Sequence, residues 1–199
     1  MLKQFPAEQT DEIDAVISYF GEEFVSVDQS GSELSGIISV VLEPKAKPIV
    51  LSAADGTDYG RFETTQLSPI DLHFRLPVEY PDKEAIFDVY SIWLPDPMRT
   101  TILKRLAKIA QENLGFPVLF LCCEDVKKFV EEEDMTEVFL GRNNYARKHN
   151  LRPMEILERA REECERAELR EFEAHCYDCN VCDLVISFQR RSHLLTFDN

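Results

Sequence analysis

Apolar residues recur at helical spacing near the start of the chain, alternate through its middle, and return to helical spacing beyond residue 96. Between residues 8 and 20, Ile13, Val16, Ile17 and Phe20 fall at i, i+3, i+4 and i+7, and acids fill the opposite face. That is the pattern of an amphipathic helix. Asp11 and Asp14 suit the positive end of its dipole, and Gly21 suits its stop. Strands follow. LSGIISVVL (34–42) is apolar and β-branched, and KPIVLSA (47–53) is a shorter candidate. In PIDLHFRL (69–76) Ile70, Leu72, Phe74 and Leu76 share one face, and Asp71, His73 and Arg75 share the other. Such a strand has one wet face, as in an antiparallel sheet. AIFDVYSIWL (85–94) predicts a fourth strand. Asp55-Gly56 and Asp58-Tyr59-Gly60 read as turns or loops.

Asp96-Pro97 then reads as an N-cap followed by proline in the first turn. Ile102, Leu103, Leu106, Ile109 and Ala110 make one stripe of a helix that Gly115 closes. Another helix is expected from about Val118, with Leu119, Cys123, Val126, Phe129 and Val130 inward. Helix, four strands and two helices make an α+β fold, with helices packed on one face of an antiparallel sheet. This compact unit spans 8–133. Residues 134–152, with Gly141 and the polar run RNNYARKHN, read as a linker. Pro153 opens a charged helix over 153–174. Its Glu155–Arg159 and Glu162–Arg166 pairs have the favourable order. Its stripe of Ile156, Leu157, Ala160, Cys164 and Ala167 is narrow. The pattern predicts a solvated connecting helix, with a partner-binding helix as the alternative.

Composition narrows the functional classes. The 199 residues are 44% hydrophobic, enough for a well-buried core. A formal charge of −15 repels phosphates, so nucleic acid is not an expected partner. No run of 18 apolar residues occurs, so no membrane partner is expected either. The first residues, MLKQFPAEQTDE, lack the apolar core of a signal peptide. With six cysteines, this points to the reducing cytoplasm or nucleus.

Four stretches together resemble the RWD domain: the acidic helix EIDAVISYF, the strand end LPVEYP, Trp93-Leu94 before a long helix, and the helix VLFLCCEDVKKFV. The resemblance covers about residues 8–133. It implies a fold similar to ubiquitin-conjugating enzymes, a four-stranded antiparallel sheet flanked by helices. Of the family's Y-P-x-x-x-P signature, Tyr80 and Pro81 match, and the last position is Ala85. A second resemblance concerns the tail, FEAHCYDCNVCD. Ring-between-ring E3 ubiquitin ligases of the ring finger protein fourteen type place an RWD domain first. A charged helix follows, and then a RING that opens with C-x-x-C after a phenylalanine. Here those residues are Phe172, Cys179 and Cys182.

Two zinc ions of a RING need eight Cys or His ligands. After Cys182 the sequence offers only His193, so residues 175–199 hold at most the start of one. Three readings stay open. Cys179 and Cys182 open a RING whose remainder is absent; or Cys176, Cys179, Cys182 and His193 close one zinc; or the cysteines are free thiols. The fourth cysteine of an iron–sulfur run is missing, since Ile186 and Ser187 stand where Cys-Pro would follow. A conjugating enzyme needs a thioester cysteine between the sheet and the long helix. None lies between Tyr80 and Pro97, and Cys122 and Cys123 read as core. Trp93 reads as core as well, and His73 as a solvated surface residue. Arg99, Lys104, Arg105 and Lys108 form a basic helix face, either solvated or a docking surface for an acidic partner. No Ser/His/Asp constellation, phosphate-binding glycine loop or HExxH occurs.

The expectation is therefore a docking module of the ubiquitin system, without catalysis by this chain. The resemblance implies partners among ubiquitin-pathway or translational-control proteins. The alternatives are the N-terminal piece of an active ring-between-ring ligase, and an adaptor competing with such a relative.

Overall fold

The computed structural model describes residues 5–141 and 143–176. Helix α1 (Ala7–Phe20) leads through a single 3-10 turn into β1 (Val25–Asp28) and β2 (Leu34–Val40). The hairpin β3 (Ile49–Asp55) and β4 (Asp58–Thr64) comes next, then β5 (Ile70–Leu76) and β6 (Ile86–Tyr90). Helices α2 (Asp96–Glu112) and α3 (Leu119–Glu132) follow. The described chain ends with β7 (Glu137–Phe139), α4 (Asn144–His149) and α5 (Pro153–Cys176).

A four-stranded antiparallel sheet is present, in the order β1-β2-β5-β6, but its members differ from the expected set: β1 carries no strand signal in the sequence reading, and the candidate at 47–53 is β3, which lies in another sheet. On β5 the alternation holds: Ile70, Leu72, Phe74 and Leu76 are buried. Helix α1 ends where Gly21, at φ 95°, donates its N–H to the Ile17 carbonyl. All the residues assigned inward on α3 are buried.

A second sheet, β4-β3-β7, was not legible in the sequence. The β3–β4 hairpin leaves the first sheet between β2 and β5, and β7 pairs with β3 in parallel. Asp58-Tyr59-Gly60 is part of strand β4; only Gly56, at φ 64°, is needed for the tight turn. As an edge strand covered on one face, β4 carries few apolar residues, and its sequence resembles a loop. The run 85–94 is a strand only to Tyr90. Ile92, Trp93 and Leu94 are buried in a bend, and the Trp93 indole donates to the Ser68 carbonyl at 2.8 Å. Continuous apolarity cannot separate a strand from a core-bound bend.

The stretch 134–152, which reads as a linker, contains β7 and α4. Val138 and Leu140 are buried, and the Leu140 N–H donates to the Ser52 carbonyl at 2.6 Å. Asn143 caps α4, its side-chain oxygen accepting from the Ala146 N–H at 2.8 Å. Asp96 does not cap α2. Its carboxylate accepts from the Asn144 N–H and from Arg147, both at 2.8 Å, and thus holds α4.

Helix α5 is not a solvated connector. Ile156, Leu157, Ala160, Cys164 and Ala167 are all buried, against the second sheet. A fully buried Leu or Ile contributes about 1.5–3 kcal/mol, so this narrow stripe suffices to dock the helix. Thr64 Oγ1 donates to Glu168 at 2.9 Å, and the Arg161 guanidinium lies 5.4 Å from the centre of the Phe62 ring. Gly60 permits the close approach, because a Cβ there would stand 2.6 Å from Leu157 Cδ2.

Candidate functional site

The signature pair Tyr80-Pro81 sits at an internal junction. Val118, the residue before α3, makes no side-chain cap to that helix. The cap comes from elsewhere in the chain. Glu12, on α1, accepts from the Leu119 N–H through Oε1 at 2.7 Å and from the Tyr80 hydroxyl through Oε2 at 2.7 Å. The Tyr80 oxygen in turn accepts from the Val118 N–H at 2.9 Å. A carboxylate at the positive end of a helix is favoured. Pro81 accepts from the Gly115 N–H at 2.9 Å, fixing the loop ahead of α3. Gln9 donates to the Pro77 carbonyl at 2.8 Å. Burial pushes the Glu12 carboxyl above its ordinary value, partly offset by its hydrogen bonds to Leu119 and Tyr80. Burial and then the neighbouring Glu12 push the Tyr80 hydroxyl up. The group is thus a borrowed helix cap. Gln9 and Glu12 escaped the sequence reading, although both fall on the inward phase of α1 set by Ile13 and Val16.

The basic face of α2 is divided. Arg99 pairs with Asp88 and donates to the Val89 carbonyl at 3.0 Å. Arg105 forms a two-pronged bond with Asp125, at 2.8 and 2.6 Å, and its guanidinium lies 5.3 Å from the centre of the Phe129 ring. Both arginines therefore tie α2 to β6 and α3. Lys104 is exposed, and Lys108 meets Glu112 at 3.7 Å on the surface. His73 is half-buried rather than solvated. Its ring stands edge-on to Tyr90 at 4.8 Å, and burial and Lys148 lower its pKa.

Cys122 and Cys123 are fully buried, and burial pushes their thiols far above the ordinary range. The Cys164 thiol, also buried, is pushed up to about 12. A thioester nucleophile needs the opposite, an exposed thiol with a lowered pKa. Among the described residues no group of three or more Cys, His, Asp or Glu could hold a metal. The candidate ligands Cys179, Cys182 and His193 lie outside the described residues. Cys176 closes α5, and its side chain is not described.

A groove of about 310 Å³ opens between the end of α1, the end of β2, α3 and α5. Its walls include Phe20, Phe24, Val41, Leu42, Pro69 and Ala167. At its mouth Tyr19, 64% exposed, meets Phe20 and Phe120 edge-on at 4.9 and 4.8 Å.

Comparison with known proteins bears on what these surfaces serve. The family model described as "RWD domain" matches residues 7–130. The chain is 32% identical over 132 residues to E3 ubiquitin-protein ligase RNF14 of Danio rerio, a match spanning 66% of this chain and 27% of that protein. It is 26% identical over 126 residues to Protein IMPACT-B of Xenopus tropicalis and to Protein IMPACT of Danio rerio, spanning 63% of this chain and 33% of each. The match thus spans a third or less of the length of these curated relatives. The solution structure of the RWD domain of mouse GCN2 aligns with a TM-score of 0.46 at 14% identity, covering 65% of this chain and 88% of that one. With more than half of its residues matched by the family model, the chain belongs to the RWD family.

Proposed function

We propose that this chain is a docking module of the ubiquitin system that performs no group transfer itself. An RWD domain is a protein-interaction module. The observation that carries the reading is the family match over 7–130, joined to the 32% identity with an E3 ubiquitin-protein ligase. The burial of Cys122, Cys123 and Cys164 supports it, because a buried neutral thiol does not accept ubiquitin. Binding to a panel of ubiquitin-conjugating enzymes, measured by interferometry, tests the docking half. Micromolar binding to a subset is expected, and none to any member overturns it. Incubation with activating enzyme, conjugating enzyme and ubiquitin tests the other half. A thiol-sensitive ubiquitin adduct on this chain would overturn it.

A second reading is favoured by the RNF14 relationship: the chain corresponds to the N-terminal part of a ring-between-ring ligase. On that reading Cys179 and Cys182 are the opening pair of a RING. Zinc content per chain, measured beside a Cys179→Ser variant, addresses the tail. One zinc per chain, lost in the variant, assigns a closed site to Cys176, Cys179, Cys182 and His193. No zinc accords with an opening pair alone.

A further inference from the structure

We propose that α1, the first turn of α3 and the groove between them receive a basic amphipathic helix of another protein. The inference rests on the docking reading above and names the chemistry of the partner.

Three observations converge on this surface. The first is exposed aromatic area. Tyr19 is 64% and Phe120 41% exposed, and the two rings pack on each other at 4.8 Å, not into the core. Leu121, beside Phe120, is 46% exposed. Clustered exposed apolar side chains mark interaction sites, whereas single ones do not. The second is the groove of about 310 Å³ that continues from Tyr19 and Phe20, with an apolar wall of Phe24, Val41 and Leu42. It has room for an inserted apolar side chain.

The third is an excess of acid. Between Lys3 and Lys45 the sequence contains no Lys, Arg or His, yet it holds Glu8, Asp11, Asp14, Glu22, Glu23 and Glu43. Glu8, Asp11, Asp14 and Tyr19 are exposed positions of α1, and Glu22 and Glu23 follow it in the 3-10 turn. The groove itself is lined by Glu43, Glu124 and Glu171 against Lys127 and Arg170, and Lys127 is held by Glu43 at 2.6 Å, so acids outnumber bases there as well.

These features select among occupants. An anionic membrane is repelled by such a face. A second copy would bring the same acids against themselves, and like charges across an interface are costly. The exposed aromatics Tyr19 and Phe120 stand on α1 and α3, and β2 reaches the groove only at its end, so an extended peptide finds little main-chain template there. A helix with aliphatic anchors at i, i+4 and i+7 and Lys or Arg on its flanks fits both the apolar groove and its acidic border.

The test is selection of helical peptides from a displayed library of randomised surface composition, with the full chain as bait. The recovered peptides are then titrated against variants of the full chain, and the fluorescence of the sole tryptophan, Trp93, monitors folding. Recovered helices are expected to pair Leu, Ile or Phe anchors with Lys or Arg. Tyr19→Glu and Phe120→Glu are each expected to weaken the recovered peptide about tenfold or more. Raising the salt concentration is expected to weaken it further. Lys104→Glu, on the α2 face, is expected to leave it unchanged. Neutral or acidic recovered peptides, or unchanged affinity in folded Tyr19→Glu, overturn the proposal. Loss of binding in Lys104→Glu instead moves the site to α2, so this inference falls while the docking function stands. Recovery of no helix at all also overturns the inference, and the conjugating-enzyme panel then judges the docking function separately.

Discussion

Glu12→Ala should be among the most damaging single substitutions on α1. The carboxylate is buried and holds two donors from different elements, the Leu119 N–H and the Tyr80 hydroxyl, each at 2.7 Å. A hydrogen bond to a charged group contributes about 1.5–3 kcal/mol, and a buried donor left alone costs about 1–3 kcal/mol. Against this, truncation relieves the burial that raises the Glu12 pKa. The net loss is about 2–4 kcal/mol. It should appear in urea titrations followed by Trp93 fluorescence as a lower midpoint at an unchanged slope. Tyr80→Phe removes the same bond from its other end, so the two losses should fall short of additive by about 1–2 kcal/mol. The raised pKa adds a pH signature. The folded state holds the Glu12 proton more tightly than the unfolded state does. The stabilisation is therefore fully present below the ordinary value of 4.5 and is lost as pH rises through the folded value. Glu12→Gln retains an acceptor for Leu119 and should flatten that part of the pH profile. A Glu12→Ala loss under about 0.5 kcal/mol, or strict additivity with Tyr80→Phe, would refute the borrowed cap.

Three further outcomes follow from packing. Gly36→Ala should cost about 1–3 kcal/mol and loosen β1, because its Cβ would meet the Ser26 carbonyl oxygen and the Phe74 ring at 2.3 and 2.7 Å. Amide exchange in β1 rising ahead of β5 would be the readout. Leu157→Ala, at a site 2% exposed, should cost about 2–5 kcal/mol and accelerate exchange along α5. Unchanged protection in α5 would mean that the helix does not depend on the second sheet. In the native protein Cys122, Cys123 and Cys164 should resist iodoacetamide and react only after unfolding, as peptide mass spectrometry can read. Native labelling of Cys122 or Cys123 would contradict their burial and reopen the question of a reactive thiol.

Local pattern determined much of this protein. The α1 stripe, the alternation of β5, the α2 and α3 faces and the LPVEYP strand end each express a choice made within a few residues. They were therefore legible, and with them the α+β class and the family. The tertiary structure decided what depends on distant partners. Strand β4 has loop-like residues because an edge strand buries only one face, and that face is covered by α5, which begins 89 residues after the last residue of β4. The narrow stripe of α5 reads as solvated until Ile49, Leu51 and Ala53 of β3 are placed beneath it. Arg99 and Arg105 look like a docking face until Asp88 and Asp125 fold against them. Glu12 looks like one more acid on an acidic helix, and only the fold sets it at the start of α3. Periodicity reports whether a residue is buried within its own element. The identity of the group it meets is set by chain closure over tens of residues, and local spacing carries no record of that.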